Sequence, residues 1–229
     1  MAQTIFILSG AGLSAESGIA TFRASDGLWE NHRVEEVATP DGFVRNPALV
    51  QRFYNERRAG VAQAAPNAAH LALARLQCDH RAPVHLVTQN IDDLLERAGA
   101  RDVIHMHGEV TRALCADCGH RWDAPAVMAP HEPCPACGGP HGRPDIVWFG
   151  EVPYHMERII AALEDSDLFV AIGTSGIVYP AAGFREMAMN MGIATLEMTL
   201  EPSGAWFNDI RSGPAGTVVP SWVHEVLGG

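Results

Sequence analysis

Cys115-Ala-Asp-Cys118 and Cys134-Pro-Ala-Cys137 form two C-x2-C pairs separated by an interval of 15 residues. Four thiolates at this spacing close a tetrahedron around zinc and leave no open position for a substrate, so the pattern predicts a structural ion and not a catalytic one. Gly119, Gly138 and Gly139 supply turns for such knuckles, and His120, His131 and His141 stand nearby as alternative ligands. A second constellation is His107 beside Gly108. Imidazole titrates near neutral pH, which makes His107 a candidate general base. His105 stands two residues before it, and one of the two reads as a packed or solvated histidine. Gly10-Ala11-Gly12, with Ala15 in the third slot of a G-x-G-x-x-G/A pattern, follows an apolar run at residues 4–8. That is the context in which a backbone approaches a pyrophosphate seated on the positive end of the next helix. Phe22 and Arg23 follow closely, suited to covering a ligand and gripping its phosphates. Alone, each reads as a core ring and a solvated charge, and the glycines fit any tight strand-to-helix turn.

The elements that would position these groups alternate in type. Strand patterns fall at residues 4–8, 83–87, 103–109, 168–172 and 194–198. Helical patterns start at 47 and run over about 67–76, 153–163, 181–189 and 221–227. Such alternation predicts a parallel sheet with helices on both faces, whose ligand edge lies at the strand ends. Gln89, Asn90 and Asp92 sit at one such end, and Thr174 and Ser175 at another. Asp92 alone reads equally as a helix N-cap. Tyr54 and Arg57 are i and i+3 on one helix face. Spacing by itself makes them a core-edge phenol and a surface charge; the functional alternative is a hydroxyl and a guanidinium aimed at one carboxylate. Residues 143–151 read as a core strand or as an edge that receives an extended peptide. Cys78, in an apolar helical pattern, is expected to be buried.

With 229 residues, 47% of them hydrophobic, the chain can bury a full core as one domain with a lobe inserted into it. The net charge of −11 and the lack of any long basic run argue against a nucleic-acid surface and remain compatible with basic protein substrates. The sequence contains no lysine, so every basic side chain is Arg and none of its side chains can be acylated at an amine. No charged n-region precedes the first apolar run, and no stretch approaches the roughly 18 apolar residues of a membrane span. Paired cysteines suit a metal site in a reducing compartment, and a cytoplasmic protein is expected.

Taken together, Gly10-Ala11-Gly12-x-Ser14, Thr21-Phe22-Arg23, Gln89-Asn90-Ile91-Asp92, His107-Gly108, the two cysteine pairs, Trp148-Phe149-Gly150-Glu151 and Gly173-Thr174-Ser175 resemble, in order and spacing, the sirtuins, the NAD-dependent protein-lysine deacylases. The resemblance covers essentially the whole chain and lies close to the bacterial members of class III. It implies an α/β fold: a Rossmann-like doubly wound parallel sheet (about 1–30, 80–112 and 145–229) with a smaller inserted lobe. That lobe would comprise a helical part (about 31–79) and a zinc ribbon (about 113–144). NAD+ is the implied co-substrate, held by Gly10, Ala11, Gly12, Ser14, Glu16, Thr21, Phe22, Arg23 and Trp29, by Gln89, Asn90, Ile91, Asp92 and His107, and by Gly173, Thr174, Ser175, Thr199, Leu200, Glu201 and Ala215.

The implied catalytic residues are His107, as base on the ribose hydroxyls, and Asn90, which orients the ribose and a water. Asp92 would hold the nicotinamide carboxamide and Phe22 would screen the reactive face. Acyl-lysine protein would lie as a strand along Val147, Phe149, Gly150 and Glu151 and near Val178. The Ala38-Thr39-Pro40 stretch would open a roomy acyl pocket, and Tyr54 with Arg57 would bind the acidic end of succinyl, malonyl or glutaryl lysine, with acetyl-lysine also accepted. Products would be nicotinamide, free lysine and 2′-O-acyl-ADP-ribose. The one structural Zn2+ falls to Cys115, Cys118, Cys134 and Cys137. Thr199 stands where the family usually has Asn against the adenosine ribose, which puts that contact in doubt. A monomer without membrane or nucleic-acid partners is expected; the rival readings are an NAD or ADP-ribose sensor and a protein ADP-ribosyltransferase.

Overall fold

A computed structural model of the chain describes residues 2–20, 28–29, 32–176 and 178–228; Thr21, Phe22 and Arg23 lie outside the described residues. β1 (Ile5–Ser9) precedes an antiparallel pair, β2 (Leu28–Trp29) and β3 (His32–Arg33), and four helices, α1 (Val34–Val37), α2 (Pro40–Arg45), α3 (Pro47–Gln63) and α4 (Ala68–Asp79). β4 (Val84–Thr88), α5 (Leu94–Arg97), β5 (Ile104–His105), β6 (Gly108–Cys115), β7 (Arg121–Asp123) and β8 (Gly142–Ile146) follow. The chain then alternates through α6 (Met156–Glu164), β9 (Leu168–Ile172), α7 (Phe184–Asn190), β10 (Ala194–Thr199), β11 (Asp209–Ser212) and α8 (Ala215–Val226).

Six strands form a parallel sheet in the order β11-β10-β9-β1-β4-β5. Every residue of β1 is buried, because alternate side chains leave the sheet on opposite faces and both faces are covered. Ile5 and Ile7 pack with Leu73 and Leu76 of α4 and Val219 and Trp222 of α8. Phe6 and Leu8 pack with Ile159 and Leu163 of α6 and Phe184 of α7. Each such side chain contributes about 1.5–3 kcal/mol by leaving water, and a cavity at Leu73 would cost roughly 2–5 kcal/mol. The doubly wound fold expected from the alternation is therefore present. β1 lies between β9 and β4, so the strand order reverses there and a crevice opens above the carboxyl ends of β9, β1 and β4.

A separate antiparallel sheet, β7-β6-β8, carries the cysteine pairs at its far end. A third apolar cluster joins it to the helices: Val37, Phe53 and Tyr54 pack with Val110, Ile146 and Trp148. Helix α3 starts as its sequence signals, with Pro47 in the first turn and the Asn46 side chain accepting from the Leu49 N–H at 3.1 Å. Asn67 caps α4 in the same way.

Local expectations fail at four places, each for a physical reason. After β1 the chain forms two 3-10 turns, Ala11–Leu13 and Ala15–Ser17, and not an α-helix, since Gly12 N–H is drawn to Gly173 O at 2.8 Å and Gly18 turns at φ 83°. The 103–109 stretch is broken into β5 and β6 because Gly108, at φ 80°, redirects the chain into the antiparallel sheet. Helix α8 begins at Ala215 and runs through Pro220, as burial of Val219, Trp222 and Val223 outweighs the lost backbone bond. Cys78 is exposed, because it sits in the last turn of α4 on the side away from Leu73 and Leu76. Among the described residues no helix is long and apolar enough to cross a membrane.

Candidate active site

One cavity of about 1090 Å3 opens above the crevice and extends between the parallel sheet and the α3 side of the molecule. Its floor is made by the ends of β1, β4 and β9. Gly10 and Gly12 are pressed against the loop after β9: a Cβ on either would lie within 2.8 Å of Gly173 backbone atoms. Their glycine identity thus serves loop-on-loop packing, which in turn brings Ala11, Thr174 and Ser175 to the cavity wall. Gln89 links the second loop to the third, its Nε2 donating to Thr174 Oγ1 at 3.0 Å. Thr199, Leu200, Glu201 and Ala215 line the far end, where the Thr199 hydroxyl donates to Glu201 O. Glu16 also lines the cavity, and its carboxylate accepts from Gly216 N–H at the start of α8.

Asn90, Ile91, Asp92 and His107 lie on the inner wall. Ser14 sits beneath them, fully buried and not on the surface of the cavity. Its hydroxyl donates to Asp92 Oδ2 at 2.9 Å and accepts from Asn90 Nδ2 at 3.0 Å. Asp92 Oδ1 accepts from Leu94 N–H at 3.2 Å, so this one carboxylate both helps start α5 and faces the site. Burial raises the Asp92 pKa, against the Ser14 and Leu94 hydrogen bonds that lower it. A residue that the sequence reading passed over completes the group: His70, wholly buried on α4, lies 3.3 Å from Ser14 Oγ. The signal was an Asn67-x-x-His70 spacing, a cap pattern with His in the reciprocal position.

His107 has its Nδ1 3.1 Å from Gln89 O. A carbonyl only accepts, so Nδ1 carries the proton and Nε2 is left as the acceptor nitrogen. Burial pushes the His107 pKa down, in part offset by the Gln89 carbonyl, and the ring stays an unprotonated base at neutral pH. His105 reaches the neighbouring carbonyl, Asn90 O at 3.1 Å, and Glu96 Oε1 at 2.8 Å on its other nitrogen. Burial opposes charging of His105, but Glu96 outweighs it and the net pKa is raised. Of the two histidines one is therefore a packed, ion-paired residue and the other lines the cavity.

Tyr54, Arg57 and Ala38 meet at the α3 side of the same cavity, with Trp29, Val147, Phe149, Gly150, Glu151 and Val178 around them. Tyr54 is fully buried and its hydroxyl accepts from Trp148 Nε1–H at 3.0 Å. The Arg57 guanidinium lies over the Phe53 ring at 4.6 Å. Residues 143–146 form the core strand β8, whereas 147–151 leave it: Val147 N–H bonds His107 O and Phe149 N–H bonds Ala38 O, both at 2.9 Å. Arg143 forks onto Glu151 at 2.7 and 2.9 Å and stacks over Trp148 at 3.5 Å, which fixes the turn after β8. All the described residues expected at a site thus line this one cavity, apart from Ser14 below it and the four cysteines.

The cysteines gather in the antiparallel sheet, with all four sulfurs within 4.8 Å of one another. Sulfurs held about 2.3 Å from a tetrahedral zinc stand ~3.8 Å apart, and Cys115 with Cys137 and Cys118 with Cys134 are separated by 3.8 and 3.7 Å. The donor set fits one structural zinc.

Comparison with known proteins agrees with this geometry. Residues 10–180 match the profile described as the Sir2 family. A protein of Caulobacter vibrioides described as an NAD-dependent protein deacylase is 53% identical over 229 residues, 97% of this chain and 96% of that protein. One of Escherichia coli (strain K12) with the same description is 54% identical over 98% of this chain and 82% of its own length. Among solved structures, a Sir2 homolog–NAD complex superimposes with a TM-score of 0.89 at 37% identity, covering 97% of this chain and 89% of the other. A complex described as Sir2-p53 peptide-NAD+ gives 0.82 at 28% identity, over 98% and 92% of the two chains. A profile match of that extent, relatives of that identity and solved structures of the same fold lead to one conclusion: the chain belongs to the Sir2 family, the sirtuins.

Proposed function

We propose that this sirtuin is an NAD-dependent protein-lysine deacylase that removes succinyl, malonyl and glutaryl groups as well as acetyl, releasing nicotinamide and 2′-O-acyl-ADP-ribose. The observation that carries the reading is the pairing of His107 Nδ1 with the Gln89 carbonyl, which commits Nε2 to accept a proton inside the cavity that Asn90 and Asp92 also line. NAD+ supplies, when bound, the electrophilic ribose carbon and the hydroxyls that receive the acyl group.

His107 takes a proton from a ribose hydroxyl at Nε2, and its lowered pKa keeps it ready to do so. Asn90 orients the ribose side and a water, and Asp92 accepts from the nicotinamide carboxamide. Gly10, Ala11, Gly12, Glu16, Thr21, Phe22, Arg23, Trp29, Gln89, Ile91, Gly173, Thr174, Ser175, Thr199, Leu200, Glu201 and Ala215 hold the rest of the dinucleotide, while Ser14 acts from beneath the wall by fixing Asn90 and Asp92. The acylated peptide lies along 147–151 and Val178, with its acyl chain passing Ala38 toward Tyr54 and Arg57. Burial raises the Tyr54 pKa above its ordinary value, so the phenol is a neutral donor beside a permanent guanidinium, a combination matched to a carboxylate. We assign the protein to the cytoplasm, as a monomer acting on acylated proteins and not on nucleic acid.

The test is release of nicotinamide and loss of acyl from a lysine peptide, measured together with and without NAD+. The reading predicts the two in equal amounts and both abolished in His107→Tyr with the fold retained. Nicotinamide release without acyl loss, or with radiolabel from NAD+ joined to protein, would replace it by the transferase reading.

A further inference from the structure

His70 has no exposed surface, and the backbone N–H of Asn67 donates to its Nδ1 at 3.2 Å. A neutral imidazole that accepts at Nδ1 carries its proton on Nε2. Burial pushes the His70 pKa down to about 4, so this neutral form persists across the working pH range. Nε2–H therefore donates to Ser14 Oγ, 3.3 Å away.

The consequence passes through the hydroxyl. Serine offers one proton and two lone pairs. Its proton goes to Asp92 Oδ2, and His70 fills one lone pair. The remaining neighbour, the Asn90 amide at 3.0 Å, must then be a donor. Nδ2 is thus the amide atom turned toward Ser14, and Oδ1 is the atom left for the cavity. An alternative His70 tautomer would reverse the chain of donors: Ser14 would give its proton to His70, lose its bond to Asp92, and leave that buried carboxylate short of a partner.

We propose that His70 is a positioning residue for the deacylation site, setting through Ser14 which way the Asn90 amide and the Asp92 carboxylate present their atoms to the cavity. It rests on the reading above that Asn90 and Asp92 meet the ribose and nicotinamide ends of NAD+. It adds that a helix cap on α4 and the reacting end of the cavity are one hydrogen-bonded unit. His70 itself touches none of the reacting atoms.

The first arm of the test does not depend on activity. In the full chain with 15N-labelled histidine, long-range nitrogen–proton correlation spectra near pH 7 should show a histidine with Nε2 protonated and Nδ1 bare, absent from the His70→Phe and His70→Gln variants. A proton on Nδ1 overturns the proposal, whether or not the protein deacylates anything. In the second arm, His70→Phe keeps a ring but no donor, and His70→Gln restores a side-chain N–H. Loss of one buried hydrogen bond of this kind should lower kcat for deacylation and nicotinamide exchange roughly tenfold in His70→Phe. His70→Gln should recover most of it at a similar melting temperature, and His70→Phe should cost nothing further once Ser14 is Ala. Wild-type kcat in His70→Phe, or equal losses in both variants, would leave His70 a helix cap and nothing more.

Discussion

The indole Nε1–H of Trp148 donates to the Tyr54 hydroxyl at 3.0 Å, deep in the cavity wall. With a lone pair so occupied, the phenol's own proton is directed to a further acceptor, and Trp148 is held in turn beneath Arg143. The arrangement gives the α3 side of the cavity a hydroxyl donor of fixed direction, three positions before Arg57 and on the same helix face by the i, i+3 spacing that the sequence displays.

On the proposed function, that pair sets the acyl selectivity. A hydrogen bond to a charged group is worth about 1.5–3 kcal/mol, so Arg57→Met should lower kcat/KM on a succinyl peptide roughly tenfold to a hundredfold. Acetyl peptide should barely respond. Trp148→Phe should weaken succinyl turnover in the same direction by releasing the Tyr54 hydroxyl. Steady-state kinetics on matched peptides check both; equal losses on the two acyl groups would remove the pair from acyl recognition.

The pH profile reports His107. Its folded pKa lies below 6.5, with burial the main cause, so the base form dominates through neutrality. Activity should hold constant from pH 8 down past the ordinary imidazole value of about 6.5 and fall only as pH passes through the lowered pKa. An acid limb centred above 6.5 in kcat/KM for NAD+ would contradict the assignment.

Stability should depend on His105 with the opposite sign. Burial lowers and Glu96 raises its pKa, and the net shift is upward, so the stabilisation from this pair is present below pH 6.5 and is lost as pH rises through the raised folded value. Glu96 is partly exposed, so Glu96→Gln should cost only about 1 kcal/mol at pH 6, and less at pH 9. Chemical denaturation at the two pH values measures the difference.

Zinc removal is predicted to unfold the cysteine-bearing sheet and, through β8, to loosen the 147–151 wall of the cavity. Gln51 of α3 bonds Gly142 O and Asn55 bonds Met128 O, so the loss will reach α3 as well. Metal analysis should find one zinc per chain, and strong chelators should lower the melting temperature and abolish turnover, with zinc restoring both. Unchanged stability after complete metal loss would show that the thiols do not need an ion.

Much of this was legible in residue types alone. The two cysteine pairs, the alternating β1, β4, β9 and β10, and the loops at Gly10, Gln89 and Gly173 follow from local pattern and turn chemistry. What was not legible depends on partners distant in sequence. Gly12 reads as a ligand-approach glycine, but the atoms that crowd it are Gly173 backbone. Only the second half of α8, from residue 221, was legible; its first half was hidden by Pro220, whose cost is met by core packing that no local window contains. His70 carried a cap spacing but no visible link to Ser14, 56 positions earlier. Tyr54 and Arg57 looked bland because an i, i+3 pair says nothing of the cavity it faces.

The most direct measurement is mass spectrometry of matched succinyl- and acetyl-lysine peptides incubated with the protein, with and without NAD+. The account predicts NAD-dependent loss of both acyl groups with formation of the corresponding acyl-ADP-ribose, and succinyl loss that collapses in Arg57→Met. Absence of acyl loss from either peptide, in protein that binds NAD+, would contradict it.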